Sequence, residues 1–439
     1  MGSYVPNTEG EQQKMLEAIG YDSFDALFAH IPDTVKLKDG LGIPAGLSEM
    51  EVLQSMEAMA AKNKVYRQIF RGAGAYNHYI PSAVTSIVNK EEFVTAYTPY
   101  QAEISQGILQ SIFEYQTMIC ELTGMAAANA SVYDGASAAA EACAMCRERK
   151  RQVILVSETA HPDVISVIKT YAFGSNSQVV MIPSRDGVTD TQAMEGLLNE
   201  TSACVYIQQP NYYGILEDAD RISAAVHAAG AKLIMGCNPT SLAICKTPAE
   251  YGADIAVGEG QPLGMSLAFG GPYLGFMATT EKLTRKLPGR IVGETVDSEG
   301  QRAFVLTLQA REQHIRREKA SSNICSNEAL CALTAAVYLS VMGPDGLRDV
   351  AGQCSSKAHY LQKGLEDAGL TLKYAHPFFH EFVTTGEGYS SMILSALEDR
   401  GILGGLPLSD HEILWCATEL NSRAAMDEVI AIVKEVCGK

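Results

Sequence analysis

The sequence predicts an α/β protein: a doubly wound, parallel-rich sheet, preceded by a helical arm and followed by an α+β C-terminal domain. Three observations carry this. From about residue 110 to 280, short β-rich runs alternate with helical runs, as parallel βαβ units require. Before residue 60, apolar residues recur at helical spacing. After residue 326, long helices give way to short strands and a last helix. The expected division is an arm over 1–65, a large α/β domain over 66–326 and a C-terminal domain over 327–439.

In the arm, EQQKMLEAIG and SFDALFAHI read as helices stopped by Gly20 and Pro32, and LSEMEVLQSMEAMAAKN follows the loop from Gly40 to Gly46. In the large domain, LQSIFEYQTMICELTG is a helix ended by Gly124. SAAAEACAMCRERK is another, and its basic last turn suits the helix dipole. Strands are expected at 152–157, 178–183, 203–210, 231–237 and 253–258, with helices at PDVISVIKTYAF, near 191–199 and at DADRISAAVHAAG. In such sheets, sites lie at the strand C-termini. Beyond 326, NEALCALTAAVYLSVMG and VAGQCSSKAHYLQKGLEDAG read as two helices, HEFVTT and EILWCAT as strands, and RAAMDEVIAIVKEV as the closing helix. Arm, large domain and cap together have the layout of fold-type I pyridoxal-phosphate (PLP) transferases, which is an analogy of architecture only.

Composition narrows the function. The 439 residues exceed one ordinary core, and 47% hydrophobic content supports a large interior. A net charge of −17 argues against a general nucleic-acid binder, which needs basic patches to neutralise phosphates. The N-terminal stretch has no targeting pattern, and no run approaches the roughly 20 apolar residues of a membrane span. ALCALTAAVYLSVMG reads as a buried helix. Eleven cysteines scattered among apolar neighbours fit reduced thiols and a cytoplasmic location. Cys143 and Cys146 fall inside an Ala-rich helix and read as small core residues, so no metal site is assigned.

Five stretches could carry chemistry. YDGASAAAEAC places Gly135 and Ser137 at a helix start, where free N–H groups either hold an anion or are merely capped. His161 follows the strand at 152–157; its ring either stacks on a planar cofactor or lies on the surface. Asn238 stands where a PLP site would need a carboxylate to keep the pyridine nitrogen protonated. AYTPYQAEISQG crowds Tyr97, Tyr100, Gln101 and Glu103 around a pre-proline turn, which is either a polar site or a packed tyrosine loop. QAREQHIRREK holds Arg311, His314, Arg316, Arg317 and Lys319, suited to gripping a carboxylate, a phosphate or an acidic partner, or to pairing with Glu312 and Glu318. One further segment is notable for an absence. DIAVGEGQPLG is a strand opening into a glycine-rich turn, yet Thr247 through Glu281 contain no Lys, Arg or His.

Together, AYTPYQAEISQG, DGASAAAEA, QQPNYYGILED, YGADIAVGEGQPLG, FGGPYLGF, PGRIVGET and LTLQAREQHIRREKASSNIC resemble the P-protein family of the glycine cleavage system, in its two-subunit form and on the side of the first (alpha) subunit. The C-terminal domain matches more loosely. The resemblance implies a glycine dehydrogenase (decarboxylating): PLP serves as electron sink, glycine releases CO2, and the aminomethyl group passes to the lipoyl group of the H-protein. It also implies that the Schiff-base lysine lies in subunit 2, which binds the cofactor. This chain agrees with that, because Gln261-Pro262 stands where the lysine is due and a proline cannot form a Schiff base. Because fold-type I sites lie at subunit interfaces, with loops crossing from one protomer to the other, we expect Tyr97, Tyr100, Gln101 and Glu103, with His78 as companion, to reach the partner's PLP and glycine. Arg311, His314 and Arg317 would orient the interface or meet the H-protein. Two readings stand at this level: a subunit that completes the partner's site, and a silent scaffold that stabilises subunit 2 and docks the H-protein.

Overall fold

The computed structural model describes residues 6–37, 40–308, 313–386 and 388–438, and divides into two compact units, Met1–Val65 and Tyr66–Lys439. In the first unit, α1 (Glu9–Ala18) and α2 (Glu49–Ala60) both open on capping boxes. Thr8 and Ser48 accept the N–H of Glu11 and Glu51, whose carboxylates reach back to the cap backbones. Helix α2 buries none of its residues: Met50, Val52, Leu53, Met56 and Met59 are all exposed.

The second unit is built on a seven-stranded sheet. Its strands are β1 (Ala127–Ala128), β2 (Val153–Ser157), β3 (Val179–Ile182), β4 (Ser202–Gln209), β5 (Lys232–Cys237), β6 (Ile255–Glu259) and β7 (Gly275–Thr279). Their order is β3-β2-β4-β5-β6-β7-β1. Strands β2 to β6 run parallel, and β7 is antiparallel to β6 and β1. The central stretches of the parallel strands are apolar because helices cover both faces, and polar residues such as Gln208, Gln209 and Glu259 stand at their ends. Leu155, Val205, Leu233 and Met235 point to one face, against α3 (Gln106–Thr123), α7 (Ala219–Ala228) and the first half of α8 (Ala329–Asp367). Ile154, Val156, Cys204 and Ile234 point to the other, against α4 (Gly135–Cys146) and α5 (Pro162–Gly174). The short α6 (Thr191–Leu197) also joins the first face through Met194. Cys143 and Cys146 sit in the second core, where burial pushes the Cys146 thiol up.

The two C-terminal helices of the sequence reading are both present, as the two segments of α8 that meet at a kink where Gly343 (φ 62°, ψ 179°) leaves the helical conformation just before Pro344. By length and composition this helix could cross a membrane, but Ala332, Ala335 and Tyr338 are buried in the sheet core and Leu361 and Leu365 in the C-terminal one. Among the features that went unread in the sequence, two matter for the site. One is β7, which starts in the glycine-rich GGPYLGF; the other is the antiparallel pair β8 (Ile291–Val296) and β9 (Arg302–Thr307). The C-terminal layer is a four-stranded antiparallel sheet of β10 (Thr371–Leu372), β11 (Glu381–Thr385), β12 (Leu406–Ser409) and β13 (Glu412–Cys416), in the order β10-β11-β13-β12. It is covered by α8, α9 (Ser390–Asp399) and α10 (Arg423–Val436), and Trp415 and Phe382 anchor its core. Phe70 enters the same core, so residues 68–70 belong to this layer in space.

Candidate functional site

The C-terminal ends of β2, β4, β5 and β6 open on a cleft of about 400 Å³ beside the N-terminus of α4. Gly135, His161, Asn238 and Glu259 all line it, so the fold brings together four positions that are far apart in sequence. Asp134 caps α4 by accepting the Ser137 N–H at 2.7 Å. The free Gly135 N–H points at Glu259, whose Oε2 accepts it at 3.0 Å. The other oxygen, Oε1, accepts the N–H groups of Gln261 and Leu274, each at 3.0 Å. Gly135 has to be glycine: a Cβ would lie 2.8 Å from the Glu259 backbone nitrogen. Burial raises the Glu259 carboxyl above its ordinary range, the three N–H donors oppose that, and Asp134 adds to it. The helix N-terminus that sequence reasoning offered to an outside anion is therefore filled by the chain's own carboxylate.

The other cleft residues are also committed. His161 caps α5: its Nδ1 accepts the Asp163 N–H, and Nε2 lies 2.9 Å from the Ala73 carbonyl, which assigns the ring proton to Nε2. The ring meets Tyr212 edge-on and Gly74 along its margin. Asn238 turns its Oδ1 to the Thr240 N–H at 2.9 Å. Gln261 is fully buried and holds the roof of the cleft. It accepts the Tyr76 N–H and donates to the carbonyls of Tyr76 and Met265, each at 2.8 Å. Pro262 is buried beside it. From the C-terminal sheet, Glu381 grips the same roof segment through the Ala73 N–H and the Tyr76 hydroxyl, both at 2.7 Å.

These residues do not fit a phosphate-bearing aldehyde cofactor. Two α4 N–H groups are taken by carboxylates, and Asn238 has no charge to place against a ring nitrogen. Among the described residues no lysine or arginine lines the cleft, while Asp134, Asp163 and Glu259 make it acidic. Glu259 is the residue that sequence reasoning missed. Its position two residues past the apolar run of β6, pointing back at a glycine-started helix, was the available signal.

The loop at 97–103 is a separate place. Tyr97 is 85% exposed and Tyr100 52% exposed, and Gln101 and Glu103 are exposed as well. Among the described residues only Tyr100 of these four makes a side-chain hydrogen bond: its hydroxyl accepts from Nη2 of Arg290 at 2.6 Å. The Arg290 guanidinium also lies 4.8 Å from the Tyr100 ring centre. The tyrosines are thus not packed into a core.

His78 is in a different environment from that exposed loop. It is buried, with Nδ1 2.7 Å from Glu419 Oε2, and together with Cys354 the three side chains gather within 4.8 Å. Burial works against Glu419 ionisation, but the bond from His78 and the Tyr79 N–H outweigh it, so its carboxyl sits below the usual range. Arg316, Arg317 and Lys319 are exposed, on the turn Gln313–Lys319. Arg311 and the His314 side chain lie outside the described residues.

Comparison with known proteins identifies the relatives of this chain. A family model described as "Glycine cleavage system P-protein" matches residues 2–433. A protein of Syntrophomonas wolfei subsp. wolfei named probable glycine dehydrogenase (decarboxylating) subunit 1 is 50% identical over 437 residues, 99% of each chain. One of the same name from Moorella thermoacetica is 48% identical over 99% of each. A crystal structure of an inhibitor-bound glycine decarboxylase (P-protein) superposes with a TM-score of 0.92 at 42% identity, covering 99% of this chain and 100% of that one. An aspartate aminotransferase of Thermus thermophilus, at 15% identity and a TM-score of 0.60, over 84% of this chain and 99% of its own, shares the fold alone, the fold-type I architecture.

Proposed function

Because this chain belongs to the P-protein family of the glycine cleavage system, we propose that it is the first subunit of a heteromeric glycine dehydrogenase (decarboxylating) whose PLP is carried by the second subunit. Together the two subunits decarboxylate glycine, release CO2 and pass the aminomethyl group to the lipoyl group of the H-protein. The observation that carries the division of labour is Glu259. The cradle that would hold a cofactor phosphate is occupied by an internal carboxylate, and the turn that follows holds Gln261-Pro262 in place of a lysine.

What this chain contributes is the exposed loop Tyr97–Glu103, set on the second unit by α3 and by Arg290. Tyr97, Tyr100, Gln101 and Glu103 offer two hydroxyls, an amide and a carboxylate to a site on the partner, where they position substrate and handle protons. Because Tyr100 accepts from a guanidinium, its own O–H is left to donate outward. His78 belongs to the support of the cleft roof rather than to that loop. Arg316, Arg317 and Lys319, with Arg311 and His314, remain candidates for meeting an acidic, lipoylated partner. The uncovered apolar face of α2 supports a further contact with subunit 2, since isolated helices rarely leave such a face to water.

The test is glycine–bicarbonate exchange by the reconstituted pair. Omitting this chain should abolish exchange. Tyr97→Phe and Glu103→Gln should lower it while the complex stays assembled. Full exchange by both variants would leave only a scaffold role.

A further inference from the structure

Among the described residues, Arg290 is an uncompensated charge. It is 3% exposed, the only arginine among the described residues that is fully buried. Among the described residues its Nε and Nη1 have no hydrogen-bond partner, and no carboxylate lies within ion-pair distance. Its one side-chain partner is the neutral Tyr100 hydroxyl. Other half-buried arginines here satisfy their forks: Arg151 donates to the carbonyls of Ser202 and Ala229, and Arg71 to those of Gly404 and Gly405. A guanidinium cannot escape by losing its proton, and an unpaired buried charge is strongly unfavourable. In a chain with 51 acidic residues, leaving this one arginine unpaired is a specific arrangement.

What covers it is movable. Tyr100 lies in a segment without regular structure, fixed locally by a single bond from its N–H to the Thr98 carbonyl. Rotating the phenol outward uncovers the guanidinium without disturbing β8, which begins at the next residue, Ile291. On the same stretch of chain as Tyr100, Val94, Tyr97 and Ile104 are 50 to 85% exposed, apolar surface of the kind that a partner covers.

We propose that Arg290 is an oxyanion-recognition residue lidded by Tyr100, whose ligand is a carboxylate or phosphate group held mainly by the partner subunit. This rests on the shared-site reading above. Two sources supply that chemistry there, the carboxylate of glycine and the phosphate of the partner's cofactor. In the first case Arg290 fixes the substrate; in the second it fixes the cofactor. In either case Tyr100 swings from the guanidinium to the reacting groups as the anion arrives.

The test uses R290Q, R290K and Y100A in the full chain, assembled with subunit 2. If the ligand is glycine, R290Q raises the KM for glycine about 30-fold or more and leaves cofactor affinity, read by absorbance titration, unchanged. If it is the cofactor phosphate, cofactor affinity falls by that factor and KM does not move. R290K recovers part of either loss. An assembled R290Q enzyme with both quantities unchanged overturns the proposal. Should R290Q not assemble, titration calorimetry of the full chain alone decides. Unlidded Y100A should bind inorganic phosphate or acetate about tenfold more tightly than the parent chain, and equal binding overturns the proposal. Tyr97→Phe and Glu103→Gln separate the two levels. If they are impaired while Arg290 variants are silent, only this inference falls. If all are silent, the shared-site reading falls with it.

Discussion

Replacing Glu259 by Ala should convert the cleft into an anion site. In the native chain a phosphate at the Gly135 N–H would stand about 4 Å from the Glu259 carboxylate. At an effective dielectric near 20, two unit charges at about 4 Å repel by about 4 kcal/mol. A phosphate carries about −1.5 to −2 charges, so the penalty is about 6–8 kcal/mol. That is about four orders of magnitude in affinity or more. E259A removes the charge and frees the N–H groups of Gly135, Gln261 and Leu274. Calorimetric titration of the full chain with inorganic phosphate at constant ionic strength should show no heat for the parent and saturable binding for E259A. Phosphate bound equally well by both chains would refute the assignment of Glu259 as the resident anion. Glu259→Gln is the less informative change, because its amide N–H₂ would face the Gly135 N–H.

The remaining predictions concern how the cleft is held and how the chain assembles. Burial pushes the Glu381 carboxyl from 4.5 up to about 7, against bonds from Ala73 and Tyr76. Its contribution to stability is full below pH 4.5 and is lost as pH rises through about 7, about 3 kcal/mol at about 1.4 kcal/mol per pH unit. Urea midpoints measured from pH 4.5 to 8 should therefore lose that slope in E381Q, and an unchanged slope would assign it elsewhere. Gln261→Ala leaves the Tyr76 N–H and two carbonyls without partners, and should cost about 2–4 kcal/mol by urea unfolding. Leu53→Asp with Met56→Asp changes exposed residues, so the thermal midpoint of the chain alone should hold while affinity for subunit 2 drops about tenfold or more in a binding titration.

Much of the fold was legible because the parallel strands are short, with apolar centres, and bounded by turns. The strands expected at 152–157, 178–183, 203–210, 231–237 and 253–258 lie within one or two residues of β2 to β6. Strand β7 was not, since glycines around it mask the apolar run and its antiparallel direction depends on a turn that no periodicity reports. The kink in α8 was legible too: Gly343-Pro344 is a local stop signal, and the two helices expected on either side of it are the two segments that meet there. At the site, the missing lysine and the neutral Asn238 could be read directly from residue type. Glu259 and Arg290 could not, because what matters is which partner each has: one gains three backbone donors, two of them from Gly135 and Leu274 in other segments, and the other has no counter-ion among the described residues. His78 looked like a polar companion of the tyrosine loop, but its bond to Glu419, 341 residues away in sequence, is a tertiary fact.

The division of labour between two subunits is tested most directly by borohydride reduction of the assembled, PLP-loaded enzyme, followed by intact-mass measurement of each separated chain. A reduced cofactor adduct on subunit 2, with this chain at its unmodified mass, is the predicted result. A borohydride-fixed cofactor on this chain would contradict the account.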